Sequence, residues 1–263
     1  MRAYWELAVS GYRRYATYRG ATFAGVFTNS VFGLMKGYVL LAVVAGRPRV
    51  GGYDAADTLT YVWLVQALLM VAYLWGWNEL AVRIMQGDIV VDLGRPLDLQ
   101  GAWLAWDLGR AGYHTLFRGL PPFLLAELLF GLRLPTDPLL WLAFAISVSL
   151  AAVVSFAIRF LVNLCAFWLL DYRGILNVSS LTWTFLSGSV VPLTFLPEGP
   201  RAVAQALPFA AMLQVPIDVF LGKHPGPDLV RALAFQLAWA LALLGLGRLV
   251  LAAGVRRMVV QGG

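Results

Sequence analysis

Long apolar runs alternate with short polar ones along this chain. Six of the runs approach the roughly 20 residues that a helix needs to cross a hydrocarbon core. The pattern predicts span 1 from about Ala21 to Ala45, span 2 from about Leu59 to Val82, and span 3 from about Ala111 to Leu132, the last broken by Pro121-Pro122. Span 4 begins near Leu139 in an apolar run that continues to Leu170, too long for one upright helix. That run either tilts or leaves the membrane near Arg159 and follows the interface to Asp171-Tyr172-Arg173. Span 5 covers about Ile175 to Leu196, with Pro192 near its end, and span 6 covers about Leu229 to Ala253. Between spans 5 and 6, residues 197–227 are apolar but punctuated by Pro197, Pro200, Pro208, Pro216, Pro225 and Pro227, so short helices are expected there in place of a seventh crossing. Residues 1–20 alternate Tyr4, Trp5, Leu7, Tyr12 and Tyr15 with Arg13, Arg14 and Arg19, the pattern of an amphipathic helix lying in the interface.

Composition supports a bilayer-embedded chain. Hydrophobic residues make up 60% of the 263 and charged residues 13%, whereas soluble domains carry about 25% charged residues. Mean hydropathy is +0.74. Ten Trp and ten Tyr suit interfacial aromatic belts. The net charge of +6 does not indicate nucleic acid, because most basic residues sit at the ends of apolar runs, where they orient spans. One side collects Arg2, Arg13, Arg14, Arg19, Arg83, Arg95, Arg110, Arg159, Arg173, Arg256 and Arg257. The other holds Arg47, Arg49, Arg133, Arg201, Lys223 and Arg231. This bias puts both termini in the cytoplasm, although Arg47 and Arg49 oppose it. The start lacks the compact apolar core and small-residue cleavage site of a secretory signal. A single cysteine, Cys165, leaves no disulfide within the chain and reads as a small buried residue.

Little catalytic chemistry is encoded. There is no phosphate-binding G-x-x-x-x-G-K-[ST] loop and no H-E-x-x-H, and the two histidines, His114 and His224, are too few for most metal sites. Ser187 and Ser189 flank Gly188, but an intramembrane hydrolase would need a base, and His114 lies on another span. Small residues in spans more often allow close packing or bends. Ionisable residues within spans are costly, which singles out Lys36, Glu79, Arg118 and Glu127 as pathway or interface candidates, or as members of an ion-coupled carrier. Glu79 and Arg83 are spaced to pair at i,i+4, and the plainer role for Lys36 is snorkelling or a partner on another span.

Polar residues return between spans 2 and 3. There "ELAVRIMQGDIVVDLGRPLDL" joins a helix-like stretch to Gly87, Asp88, an apolar Ile89-Val90-Val91 run, Asp92, Leu93, Arg95 and Pro96. Pro96 ends a helix at or before Arg95, and Asp98 is placed to cap the next helix. Further pieces are "YR" at Tyr18-Arg19, "AFWLLDYRGI", "FLSGSVVPLTFLPEGPRAVAQALPF" and the tail "RRMVVQGG". In order and spacing these pieces resemble the six-span permeases of type-2 ABC transporters, above all the prokaryotic subgroup that occurs as unlike pairs beside a separate ATPase. Lys36 is a departure from that pattern.

The resemblance implies an all-α integral membrane fold of six transmembrane helices. It adds an N-terminal interfacial helix (1–20), a cytoplasmic coupling segment (83–101) and short extracellular helices (197–227), within one domain spanning 1–263. It implies that Gly87, Asp88, Ile89, Val91, Asp92, Arg95 and Pro96 engage a cytoplasmic ATPase dimer, with Ile89, Val90, Val91 and Leu93 offering apolar contact area. Ser187, Gly188 and Pro192 would break span 5. The chain would carry no cofactor; ATP and Mg would belong to the partner. A second permease, sister or identical, and membrane lipid would complete the assembly.

Overall fold

The computed structural model describes residues 2–72, 77–169 and 171–258, and among them every regular element is helical apart from one isolated bridge between Val50 and Tyr53. Helix α1 (Arg2–Ala16) precedes α2 (Arg19–Val44) and α3 (Ala55–Ala72). Two short helices come next, α4 (Glu79–Gln86) and α5 (Ile89–Leu93). Helix α6 (Leu99–His114) runs through a π turn (Thr115–Gly119) into α7 (Leu120–Phe130). Helix α8 (Pro138–Leu164) ends in a 3₁₀ turn, and α9 (Arg173–Leu186), α10 (Glu198–Ala206), α11 (Gln214–Phe220) and α12 (Pro227–Arg257) complete the order.

Among the described residues, four helical stretches are long and apolar enough to cross a membrane: Arg19–Val44, Ala55–Ala72, Pro138–Phe167 and Pro227–Arg257. They correspond to expected spans 1, 2, 4 and 6. The second departs from expectation in beginning at Ala55 and in not reaching Val82 unbroken, since Trp77 and Asn78 are not helical; residues 73–76 lie outside the described residues. Expected span 3 is divided by the π turn rather than broken at its prolines. Pro121 and Pro122 open α7, where a missing N–H costs little, and the π turn lies where their rings would otherwise meet the preceding carbonyls. Expected span 5 is shorter than its apolar run, and its helix ends just before the expected break at Ser187, Gly188 and Pro192. Helix α9 stops at Leu186 after 14 residues, about 21 Å at 1.5 Å per residue, and leaves the rest of the run to turns. The run after Leu139 does not leave the bundle near Arg159; Arg159 is 2% exposed inside a continuous helix.

Helix α2 packs through a stripe spaced by four, Gly25, Asn29, Gly33 and Gly37, which is the one-face periodicity of an α-helix. Its opposite face leaves Phe23, Phe27, Met35, Tyr38 and Val39 uncovered. Helix α3 is buried nearly all round and centres the larger core, with Trp63, Leu64 and Leu68 against Phe123, Ile158 and Phe220. A second core of Trp77, Leu80, Ile89, Leu99, Phe156, Phe160 and Leu164 ties α4 and α5 to the end of α8.

Candidate functional site

The segment between α3 and α6 is built as a braced knob. Gly87 ends α4 in the left-handed conformation (φ 83°), which turns the chain into α5. Helix α5 closes at Gly94, two residues before Pro96, as the proline requires. Asp98 caps α6 by accepting a hydrogen bond from the Gly101 amide at 2.7 Å, and its own amide donates to the Tyr4 hydroxyl at 3.2 Å. The knob is therefore tethered to α6 on one side and to α1 on the other.

Within the knob the candidates divide. Ile89 is 1% exposed, set between Leu80, Leu99 and Phe160, and Leu93 packs against the same core. Ile89 anchors the segment and is closed to any outside partner, and Leu93 is partly covered, so most of the apolar area that α5 leaves open comes from Val90 and Val91. Asp92 is held by Arg83, whose Nε and Nη2 donate to it at 2.5 and 3.0 Å, with Arg95 at 3.9 Å. Facing outward are Val90 and Val91, 53% and 61% exposed, alongside Asp88, Arg95 and Pro96. On a five-residue helix, burying Ile89 sends Val90 and Val91 to the other face.

The expected Glu79–Arg83 pair does not form. Glu79 instead accepts from Arg14 of α1 at 2.5 and 3.1 Å, which releases Arg83 to Asp92. The cross-helix partners win because α1 lies beside the start of α4. A crevice of about 240 Å³ separates α1 from the knob, with Arg14, Glu79, Arg83, Asp92 and Arg95 on its walls and Trp103 and Trp106 among its lining.

The other intramembrane candidates are not brought together. Lys36 donates to the Ser189 carbonyl at 3.2 Å, Glu127 accepts from the Leu132 amide at 2.6 Å, and the Arg118 guanidinium packs against Gly25. Lys36 thus has its partner across the bundle, at the break after α9. At that break Gly188 has φ 86°, and the Tyr61 hydroxyl donates to its carbonyl at 2.7 Å. Gln214 continues the junction: its amide donates to the Ser187 carbonyl (3.1 Å), its Oε1 accepts from the Leu193 amide (2.8 Å) and the Tyr61 hydroxyl (2.9 Å), and its Nε2 donates to Tyr53 and Asp218 (both 2.9 Å). Tyr53 also hydrogen-bonds Asp218. Pro192 opens the 3₁₀ turn Leu193–Phe195 beyond the break. Ser189 Oγ donates to the Thr184 carbonyl (2.7 Å), and His114 lies against the rings of Tyr15 and Tyr113, so no serine–histidine pair forms among the described residues.

Sequence reasoning missed the most deeply buried charges. Asp107 accepts from Arg110 at 2.7 and 3.2 Å and from Arg159 at 3.1 and 2.8 Å, with all three side chains at most 2% exposed. Arg110 also donates to the Met70 and Val71 carbonyls, and Ser155 to that of Ala72, so the open end of α3 is capped from α6 and α8. Asn163 extends the scaffold to Trp77 and Ala81. Arg110 and Arg159, assigned to loops by the charge bias, are in fact interior. The i,i+3 spacing of Asp107 and Arg110 within an apolar run was the available signal. A second missed group surrounds Asp57, which Arg133 and Lys223 approach at 2.6 and 2.5 Å. Asp54 and Asp57 cap the start of α3 reciprocally, and Arg133 reaches Asp54 at 2.9 Å. Burial alone would raise the Asp54 carboxyl, but the Asp57 amide and the Arg133 guanidinium outweigh it and hold its pKa below the ordinary value. Among the described residues no group of His, Cys, Asp and Glu is arranged to hold a metal ion.

A family profile described as "ABC-2 family transporter protein" matches residues 32–262, most of the chain, including the knob and the break after α9. No curated protein and no solved structure matches. Membership of this family implies association with an ABC ATPase. With the all-helical architecture and the apolar crossings already described, the match places this chain in the ABC-2 transporter family, as a multi-pass membrane permease component that is not itself the ATPase.

Proposed function

We propose that the chain is one permease of an ATP-driven exporter. It forms half of the translocation pathway beside a second permease, identical or sister, and is moved by a cytoplasmic ATPase dimer that carries ATP and Mg. In this reading the composite α6–α7 helix and α9 add two crossings to the four long ones, giving six. Both termini and the knob face the cytoplasm of the cell (inner) membrane, and α10 and α11 lie on the outer side. Export direction is drawn from the family resemblance. Closure of the ATPases on ATP favours one arrangement of the permease pair and hydrolysis restores the other.

The observation that carries the reading is the division of labour in α5. Ile89 and the Arg83–Asp92 pair fix the knob to the core, while Val90, Val91, Asp88 and Arg95 face outward. A lever must be rigid toward the body it moves and adhesive toward the motor. The outward pair is suited to a groove contact, with Asp88, Arg95 and Pro96 on its rim. Replacing Val90 and Val91 together with Asp should abolish copurification of the ATPase and transport, with membrane insertion and thermal stability unchanged. Full ATPase yield from that variant would defeat the coupling assignment. The ion-coupled alternative gains nothing from the geometry, because Lys36, Glu79 and Glu127 each satisfy a different partner.

A further inference from the structure

Helices α1 and α6 approach so closely that two positions admit only glycine: a Cβ on Gly109 would lie 1.8 Å from the Ala8 carbonyl oxygen, and one on Gly11 would lie 2.1 Å from that of Trp106. Beside this contact the helices part into an apolar groove of about 920 Å³, lined by Trp5, Ala8, Val9, Ala105, Leu108 and Gly112 among others. Tyr12 lines it too and packs edge-on against Tyr113 (5.4 Å). Gly112 leaves part of the groove bare, since a Cβ there would meet nothing within 4 Å. Arg13 lines the groove and also a second hollow of about 360 Å³ shared with Glu6, Ser10 and Arg14. Arg14 is engaged with Glu79, whereas Arg13 is exposed and forms no ion pair among the described residues.

We propose that this groove seats one acyl chain of a membrane glycerophospholipid, with the lipid phosphate on the Arg13 guanidinium. The setting selects the occupant. The groove lies under an amphipathic helix of a multi-pass membrane protein, its walls are aliphatic and aromatic, and a cation stands where the apolar groove meets a polar hollow. A phospholipid offers that sequence of chemistry along its length, and a guanidinium takes a phosphate bidentately. A seated lipid would fill the space that α1 and α6 leave open and hold α1, which carries Arg14 to Glu79, in place beside α4. The inference rests on the membrane setting of α1 and not on any ATPase contact.

The test is lipid retention by the full chain purified in mild detergent, read by native mass spectrometry after exchange into micelles containing phosphatidylglycerol or diacylglycerol. The unaltered chain should retain the phospholipid in preference to diacylglycerol. Gly112→Leu, which adds volume to the groove where the backbone leaves room for a Cβ, should lose most of the bound lipid of either kind, and Arg13→Gln should lose the preference for phospholipid. Equal retention by the unaltered chain and Gly112→Leu would overturn the proposal. So would a change of oligomer mass in Gly112→Leu with lipid unchanged, since the groove would then hold protein. Because no ATPase is present in this measurement, failure of the coupling assignment would leave its outcome untouched.

Discussion

At the scale of single residues, the polar groups inside this bundle act as fasteners. Asp107 gathers two guanidiniums, one of which, Arg110, also caps the end of α3, while the other, Arg159, reaches the Ser155 hydroxyl. Buried pairs add little net stability over an apolar alternative, but removing one partner is costly because the remaining charge keeps its desolvation penalty. Asp107→Asn should therefore lower stability by about 3–5 kcal/mol, seen as a reduced midpoint in thermal unfolding of the detergent-solubilised protein. Asp54 makes a pH-dependent contribution of opposite setting, at the polar start of α3. Its folded pKa is depressed, so its stabilisation is present above the unfolded carboxylate value of 3.8 and is lost as pH falls through the lower folded value. Thermal midpoints measured from neutral pH into the acid range should fall less steeply for Asp54→Asn than for the unaltered chain. Apart from the i,i+3 spacing of Asp107 and Arg110, nothing in the sequence marked these groups. Arg110 and Arg159 look like the loop charges that orient spans, and only packing reveals that they point inward. Glu79 was misassigned for the related reason that a local spacing competes with a partner 65 residues away.

Among elements, the short ones depended most on tertiary context. Helix α5 was legible as a turn, a short helix and a stop, because Gly87, Pro96 and Asp98 act through local backbone geometry. Which of its apolar residues faces outward was not legible. In five residues the hydrophobic pattern has no room to distinguish two faces, and the core formed by Leu80, Leu99 and Phe160 decided it. The break after α9 combines both kinds of information. Gly188 marks it in the sequence, and its φ of 86° is one that side chains rarely adopt. The structure adds that a Cβ there would stand 2.3 Å from the Tyr61 hydroxyl and 2.8 Å from Gln214 Oε1. Gly188→Ala should thus cost more than about 1 kcal/mol and loosen the Lys36–Ser189 contact. Faster amide hydrogen exchange across residues 187–193 would report it, and unchanged exchange would show that the junction tolerates the strain.

For the whole molecule, the sequence by itself determined that the chain is helical and membrane-embedded, roughly where the four long apolar helices lie, that an amphipathic stretch precedes them, and that Gly87–Pro96 forms a turn and short helix. Those features come from hydropathy, from proline and glycine geometry, and from capping, all properties of residues close together in the chain. Tertiary structure alone decided that Pro121-Pro122 come after a π turn and which groups hold the break after α9. It also decided that Ile89 anchors the knob while Val90 and Val91 face outward, and that Asp107, Arg110 and Arg159 sit together in the interior. The physical reason is that hydropathy measures whether a segment tolerates an apolar setting. The cost of burying a polar group depends on whether another helix supplies its partner, and that partner is chosen by packing between segments far apart in the chain.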